Sequence, residues 1–207
     1  MISLAVVSLL VIPGSSALLF AGVLILRWLQ VRDQLLLTAV VAVTYALVLH
    51  LEPHWSFVSD VVVFAMALVA GALIGSTLRS DTAIIAFCVA AAIVDVLSFS
   101  GGLTSTIVES YRTGESQFLF YLSIAFPVGG SVRPIVGIGD LTILGGPFAG
   151  FINNGHHSWL PFAVPVGGLL AAVGVGVFVG GTPALPFVAA ATVTYVLSRR
   201  SVKTVAV

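Results

Sequence analysis

The amino-acid sequence predicts an all-α polytopic membrane protein with about seven transmembrane helices and a short β-strand or hairpin before the fifth of them. Of its 207 residues, 59% are hydrophobic and only 8% are charged. A water-soluble domain of this size would have too few polar side chains to cover its surface. Seven segments also approach the roughly 20 apolar residues that a helix needs to cross a bilayer. They comprise residues 3–28, 34–51, 57–78, 82–100, 134–153, 160–180 and 183–198.

The first three segments form an N-terminal three-helix scaffold, residues 1–81, within a single membrane domain that covers residues 1–207. The chain starts without the positive charges of a signal peptide, and its first apolar run continues too far for one. We therefore expect this helix to be retained. Pro13 is expected to kink it. The other four helices lie within residues 82–198.

A long polar connection, residues 101–133, separates the fourth predicted helix from the fifth. Its first half carries Glu109, Arg112 and Glu115 and is typical of a solvated loop. Its second half, Phe118–Pro127, is aromatic and β-branched and too short to span a membrane as a helix. This composition favours an extended strand followed by a turn. A re-entrant or interfacial helix is the alternative for the same stretch.

The basic residues favour one orientation in the membrane. With seven spans, most of them fall on one side, which the positive-inside rule assigns to the cytoplasm. The chain is thus predicted to be a multi-pass protein of the cell membrane, with its C-terminus in the cytoplasm and the 101–133 connection outside. Because the net charge is zero, the protein offers no basic field for nucleic acid. The larger basic group is Arg27, Arg32, Arg79, Arg199, Arg200 and Lys203, and the smaller one is Arg112 and Arg133.

Two aspartates lie deep in apolar sequence, Asp95 in the fourth predicted helix and Asp140 in the fifth. An ionisable side chain at membrane depth costs at least about 2.5–3.5 kcal/mol, so such residues indicate function. Asp95 precedes the end of its helix by about five or six residues, and Asp140 follows Pro134, where the fifth helix can begin, by about six. Because consecutive helices are antiparallel, both carboxyl groups are expected roughly 8–9 Å inward from one membrane face. The Pro-Ala-Leu-Pro segment, residues 183–186, returns to that face.

Two carboxyl groups a few ångström apart in a poor dielectric cannot both ionise, so they share one proton and titrate as a unit. The ionised partner can take a proton from water while the neutral partner polarises a peptide carbonyl group. This chemistry requires no metal ion. Gly137 and Gly139, which flank Ile138, leave bare backbone beside Asp140, so another chain can approach closely. Helix packing is the plainer explanation of such glycines, and the sequence also predicts it for Gly71/Gly75, Gly146/Gly150 and Gly176/Gly180.

Asp95, the Gly-Ile-Gly-Asp run at residues 137–140 and the Pro-Ala-Leu run at residues 183–185 follow one another along the chain. In that order they resemble the motifs of the presenilin and signal peptide peptidase family of intramembrane aspartyl (GxGD) proteases. The match covers about residues 82–198, and the chain looks like a short, microbial-type member. The family usually has nine spans, so the seven predicted here look like its third to ninth.

The resemblance implies an aspartic endopeptidase that uses Asp95, Asp140 and a water molecule to cleave transmembrane or signal-peptide-like segments inside the lipid bilayer. It implies no cofactor, and the absence of two helices favours an enzyme without obligate partner subunits. The stretch around Phe118–Phe126 looks like the family's strand that pairs with an unwound substrate. One departure is Val94, where the family commonly has Tyr. The residues implied to shape the active site and bind substrate are Gly137, Ile138, Gly139, Pro183, Ala184 and Leu185.

Other hypotheses explain the same residues less fully. A proton- or cation-coupled transporter could use paired carboxylates and a broken helix at Pro183, but the sequence has no internal repeat and both acids lie away from the midplane. An inert assembly or chaperone subunit is a third hypothesis. The sequence lacks HExxH, and no histidine matches the depth of Ser100 or Ser131, which argues against zinc and serine proteases. Asp60, near the start of the third helix, is explained by N-capping and first-turn charge.

Overall fold

The computed structural model describes residues 4–51, 57–114, 118–128, 131–156, 159–179 and 182–205. The protein is mostly helical, with one antiparallel two-stranded sheet in the described part. The helices are α1 (Leu4–Leu26), α2 (Val31–Leu51), α3 (Phe57–Thr77), α4 (Asp81–Phe99), α5 (Leu103–Arg112), α6 (Phe118–Tyr121), α7 (Ile138–Asn153), α8 (Leu160–Val179) and α9 (Leu185–Val205). The strands β1 (Ser123–Val128) and β2 (Ser131–Gly137) lie between α6 and α7.

Each of the seven predicted apolar segments coincides with one of the long helices, α1 to α4 and α7 to α9. Among the described residues, four helices, α1 to α4, are long and apolar enough to cross a membrane. The apolar parts of α8 and α9 are shorter, Leu160–Gly176 and Leu185–Arg199, and α7 has 16 residues. Large apolar side chains on the outside, such as Leu36 (66% exposed) and Leu97 (65% exposed), give the protein a surface suited to lipid.

Helix α7 lies in the middle of the molecule and packs mainly along α3. Four of its large side chains are completely buried. Three of them lie in the main core with residues of α1, α3 and α8, whereas Phe151 lies in a second cluster with residues of α4 and α9. Phe148 also makes an edge-to-face contact with Phe20 of α1, with ring centroids 5.8 Å apart. The completely buried residues of α7 are Leu141, Leu144, Phe148 and Phe151.

Glycines allow α3 and α7 to approach each other closely. A Cβ atom added at Gly71 would lie 2.9 Å from the Cα atom of Gly145, and one added at Gly75 would lie 2.2 Å from the Cβ atom of Ala149. Neither separation is compatible with a side chain, so these positions pack backbone against backbone. The prediction of helix packing is therefore confirmed for Gly71/Gly75 and Gly146/Gly150, whereas Gly180 lies outside the described residues.

We expect Gly75→Ala to lower the free energy of unfolding by about 1–3 kcal/mol, because the added methyl group forces α3 away from α7. Thermal unfolding of the purified protein in detergent would measure this. Gly167→Ala is the matched control, because Gly167 is also helical and has nothing within 4 Å of an added Cβ atom. Equal unfolding midpoints for the two variants would contradict the close packing of α3 on α7.

The strand expected before the fifth predicted helix is present, but its bounds differ from the prediction. Phe118–Tyr121 forms a short helix, and the extended segment begins only at Ser123. Residues 131–137, partly assigned to a helix from sequence, form the second strand of a hairpin. The predicted helix start at Pro134 is therefore wrong, and α7 starts at Ile138.

A register irregularity explains how a proline fits into this hairpin. Ile124 pairs with Val136, whereas the next residue, Ala125, pairs with Pro134, so Ile135 is an extra residue in β2. A bulge of this kind disrupts the ladder of hydrogen bonds locally. Proline has no N–H group to donate and is tolerated in strands at such places.

The prediction that the first half of the long connection is a solvated loop is wrong in part. Leu103–Arg112 forms the helix α5, which contacts α4. Leu103, Ile107 and Tyr111 recur every four residues in the sequence, which is the spacing of an amphipathic helix. This spacing in the sequence is therefore the signal for α5. Glu115 lies outside the described residues.

A hydrogen-bonded cluster joins three helix ends at one end of the molecule. The Nε2 atom of His156, just after α7, lies 3.0 Å from a carboxylate oxygen of Asp81 at the start of α4. The Nδ1 atom of the same ring accepts from the guanidinium group of Arg199 in α9, at 2.7 Å. The start of α4 therefore lies on the same side of the molecule as the C-terminal parts of α7 and α9. The C-terminus of α4 and the N-termini of α7 and α9 lie on the opposite side.

Candidate active site

One cavity at that opposite end brings together the three motifs identified in the sequence. It has a volume of about 410 Å³, within the range of about 300–1,000 Å³ that is usual for ligand sites. All eight residues predicted for the site line it. They are Asp95 from α4, Gly137, Ile138, Gly139 and Asp140 at the start of α7, and Pro183, Ala184 and Leu185 at the start of α9.

Asp95 is joined to the Pro-Ala-Leu segment by a hydrogen bond. It lies about one helical turn before α4 ends at Phe99. Its Oδ2 atom accepts from the backbone N–H of Leu185 at 3.0 Å. Leu185 is the first residue of α9, and the first N–H groups of a helix have no partner within the helix. The Asp95 carboxylate therefore caps α9 from a neighbouring helix, where the helix dipole favours negative charge.

Asp140 occupies the corresponding place on α7. Gly137 is the N-cap residue, with extended backbone (φ −72, ψ 148) and no capping side chain of its own. The carboxylate of Asp140, three residues on, accepts from the backbone N–H of Gly137, as the acidic residue of a capping box does. A Cβ atom at Gly137 would lie 3.2 Å from the Oδ2 atom of Asp140. Glycine at this position therefore lets the carboxylate turn back over the start of the helix.

Gly139 lies in a different environment from Gly137. It is exposed, and nothing lies within 4 Å of an added Cβ atom, so packing inside the protein does not require a glycine here. Its bare backbone lies in the cavity lining beside Asp140. The expectation that another chain can approach the backbone at this point agrees with the open space.

The two carboxyl groups belong to the same cavity and repel each other electrostatically. The carboxylate of Asp95 accepts a hydrogen bond from the N–H of Leu185, and that of Asp140 accepts one from the N–H of Gly137. Each carboxylate also has a second oxygen atom. The position predicted for Asp140 within its helix is wrong, because α7 starts at Ile138 and Asp140 is its third residue. Asp95 likewise lies about one turn from its helix end, somewhat less than predicted.

No protein-family model, curated protein or solved structure matches the chain. The resemblance to presenilin and signal peptide peptidase rests on the three motifs.

Several cavity residues were not predicted. Thr104 and Ile107 come from α5, while Leu119 and Leu122 come from the stretch between α5 and β1. The hydroxyl groups of Ser98 and Thr104 lie 2.7 Å apart, which fixes the start of α5 to α4 just beyond Asp95. The amphipathic spacing of α5 was the signal in the sequence that could have revealed this wall.

Two other findings bear on residues singled out in the sequence. Val94 is 65% exposed and lies outside the cavity lining, so its difference from the family's Tyr falls on the outer surface. In the parts of the chain that the structure covers, no group of three or more His, Cys, Asp or Glu side chains could hold a metal ion. His156, just after α7, is bonded to Asp81 and Arg199.

Proposed function

We propose that the protein is an intramembrane aspartic endopeptidase of the presenilin and signal peptide peptidase type, which hydrolyses peptide bonds of transmembrane or signal-peptide-like segments. One observation supports this function above all others. Asp95, the Gly-Ile-Gly-Asp run and the Pro-Ala-Leu run line a single cavity, and the N–H of Leu185 donates to Asp95.

The reaction follows from two carboxyl groups that share one proton. The ionised carboxylate takes a proton from a water molecule as the water oxygen bonds to the peptide carbonyl carbon, and the protonated carboxyl group donates to the carbonyl oxygen. As the C–N bond then breaks, the leaving nitrogen takes a proton from the pair, and one hydroxyl group of the tetrahedral intermediate returns its proton to the pair, which ends with the single proton it started with. The backbone N–H bonds to Asp95 and Asp140 hold both groups in place throughout.

The hairpin offers a place for the substrate to unwind and pair. A helical peptide bond is shielded, whereas an extended segment can add to a sheet as a further strand. The outer edge of β1 has few donors, because the N–H of Ala125 bonds to Asp60 and Pro127 has none. Strand β2 also contains a proline, Pro134, but it leads directly through Gly137 to Asp140, and we therefore place the added strand on β2.

The same proposal includes seven spans, α1 to α4 and α7 to α9, with the cell membrane around them. The basic residues Arg27 and Arg79 lie just beyond the ends of α1 and α3, and Arg199 lies in the C-terminal part of α9, which supports a cytoplasmic C-terminus. The cavity, the hairpin and α5 then lie toward the outer face. We propose that the enzyme acts without obligate partner subunits.

Incubation of the purified protein with a single-span helical peptide, followed by mass spectrometry of the products, tests this function. We expect internal cleavage of the peptide within its apolar segment. Ion flux in proteoliposomes that requires both aspartates, with no peptide cleavage, would instead support the transporter.

A peptide analogue with a hydroxyl group in place of the attacked carbonyl group is expected to bind the wild-type protein, because it mimics the tetrahedral intermediate. The variant that carries both Asp95→Asn and Asp140→Asn should not bind it. An otherwise identical analogue without the hydroxyl group serves as the control. Equal binding of both analogues to the wild type would contradict a role for the carboxyl pair in stabilising the intermediate.

A further inference from the structure

A third buried carboxylate, Asp60 of α3, contacts the hairpin. Asp60 is only 7% exposed and lies in the first turn of α3, as expected from the sequence. Its Oδ1 atom, however, accepts from the backbone N–H of Ala125 at 3.0 Å, across 65 residues of sequence. First-turn charge does not account for this bond, because it links α3 to a strand and not to its own helix.

The bond meets β1 where the hairpin is least regular. Ala125 directly follows the register irregularity, and its partner in β2 is Pro134, which cannot donate a hydrogen bond. At this residue, next to the register shift, the N–H of β1 bonds to Asp60 and not to β2. Asp60 supplies a bond from outside the sheet at that point.

A second scaffold helix holds the chain just before β1. The hydroxyl group of Tyr45, in α2, donates to the carbonyl oxygen of Tyr121. The carbonyl oxygen of the next residue, Leu122, accepts from the N–H of Ile138 at 2.8 Å. Because Ile138 begins α7, the stretch held by Tyr45 and Asp60 is bonded directly to the helix that carries Asp140.

We infer that Asp60 is a positioning residue: together with Tyr45 it fixes the hairpin against α2 and α3, and so determines which substrate peptide bond reaches the aspartate pair. This inference rests on the proposed function. A strand that moves by one residue along the hairpin shifts by about 3.3 Å, so even one step of slippage presents a different bond. The N-terminal scaffold thereby controls the position of cleavage.

Three variants test the role of Asp60. Asp60→Ala removes the acceptor, Asp60→Asn retains an oxygen acceptor without the charge, and Gln34→Ala is the matched control. Gln34 is also buried, at 5% exposed, and its side chain also bonds to backbone, at Leu26 and Leu29. Gln34 is at the start of α2, next to the end of α1 and away from the hairpin.

In Asp60→Ala we expect faster amide hydrogen exchange in residues 123–128, cleavage spread over neighbouring peptide bonds, and a fall in kcat/KM of about tenfold or more. Asp60→Asn should restore the wild-type cleavage position. Gln34→Ala should lower the unfolding midpoint without changing the cleavage position or the exchange of β1. If Asp60 contributed only to stability, its replacement would not shift the positions at which the peptide is cleaved.

Tyr45→Phe gives an independent measurement if Asp60→Ala does not fold, since it removes one hydroxyl group and keeps the ring. Tyr45→Phe should also spread cleavage over neighbouring peptide bonds, but less than Asp60→Ala does. Unchanged product ends and unchanged exchange of β1 in both Asp60→Ala and Tyr45→Phe would overturn the inference. A wild-type protein that cleaves no peptide would contradict the proposed function, whereas the exchange measurement reports on Asp60 in either case.

Discussion

Asp95→Asn and Asp140→Asn are each expected to abolish peptide cleavage, with a loss in kcat of about 10³-fold or more. Each variant removes one of the two groups that must share a proton. Asparagine keeps an oxygen that can accept the N–H of Leu185 or of Gly137, so the contacts that the aspartates make with α9 and α7 can persist. Product formation from a single-span peptide, measured by mass spectrometry, would show the loss.

The controls separate chemistry from folding. Unfolding midpoints close to that of the wild type would show that the variants are folded, and Gly167→Ala should retain full activity. Because the carboxyl groups act as a unit, the double variant should be no less active than either single one. Substantial cleavage by purified Asp95→Asn or Asp140→Asn would eliminate the proposed pair.

Pro183→Ala and Leu185→Ala are expected to lower kcat/KM by about 10- to 100-fold, the size of effect produced by small displacements in an active site. Pro183 restricts the backbone just before α9, and Leu185 carries both a buried side chain and the N–H that bonds to Asp95. Alanine retains the N–H at residue 185 but removes the packing that holds it against the carboxylate.

The peptide assay also measures this effect, with the dependence of rate on peptide concentration separating kcat from KM. Asp60→Asn is the comparison, since asparagine keeps the acceptor for Ala125 and should be much milder. An Asp60→Asn variant more damaging than both Pro183→Ala and Leu185→Ala would contradict the assignment of the Pro-Ala-Leu run to the site.

The seven long helices could be predicted because each is an apolar run of clear length. The meeting of Asp95, Asp140 and the Pro-Ala-Leu run was also predictable, since antiparallel succession alone places those ends of α4, α7 and α9 at one face. The catalytic use of these residues stays a prediction from the motifs.

Contacts between segments distant in sequence determine the features that the sequence did not predict, namely the start of α7 and the bond from Asp60. The start of α7 was placed at Pro134 because proline suits a helix start, but pairing with β1 draws residues 131–137 into a strand. The bond from Asp60 to Ala125 joins segments 65 residues apart, and no local pattern indicates it. For α5, by contrast, the prediction of a loop is wrong although the spacing of Leu103 and Ile107 in the sequence suits a helix.

The connection between α5 and α6 lies between Asp95 and Asp140 in the sequence. Contacts between helices on either side of this connection hold the two aspartates in one cavity. A break there would leave Asp95 on a fragment with α1 to α5, and Asp140 on a fragment with the hairpin and α7 to α9. The contacts of α3 with α7 and of α4 with α9 cross between these fragments. Co-produced halves should therefore complement each other to an active enzyme, whereas neither half alone contains the complete cavity.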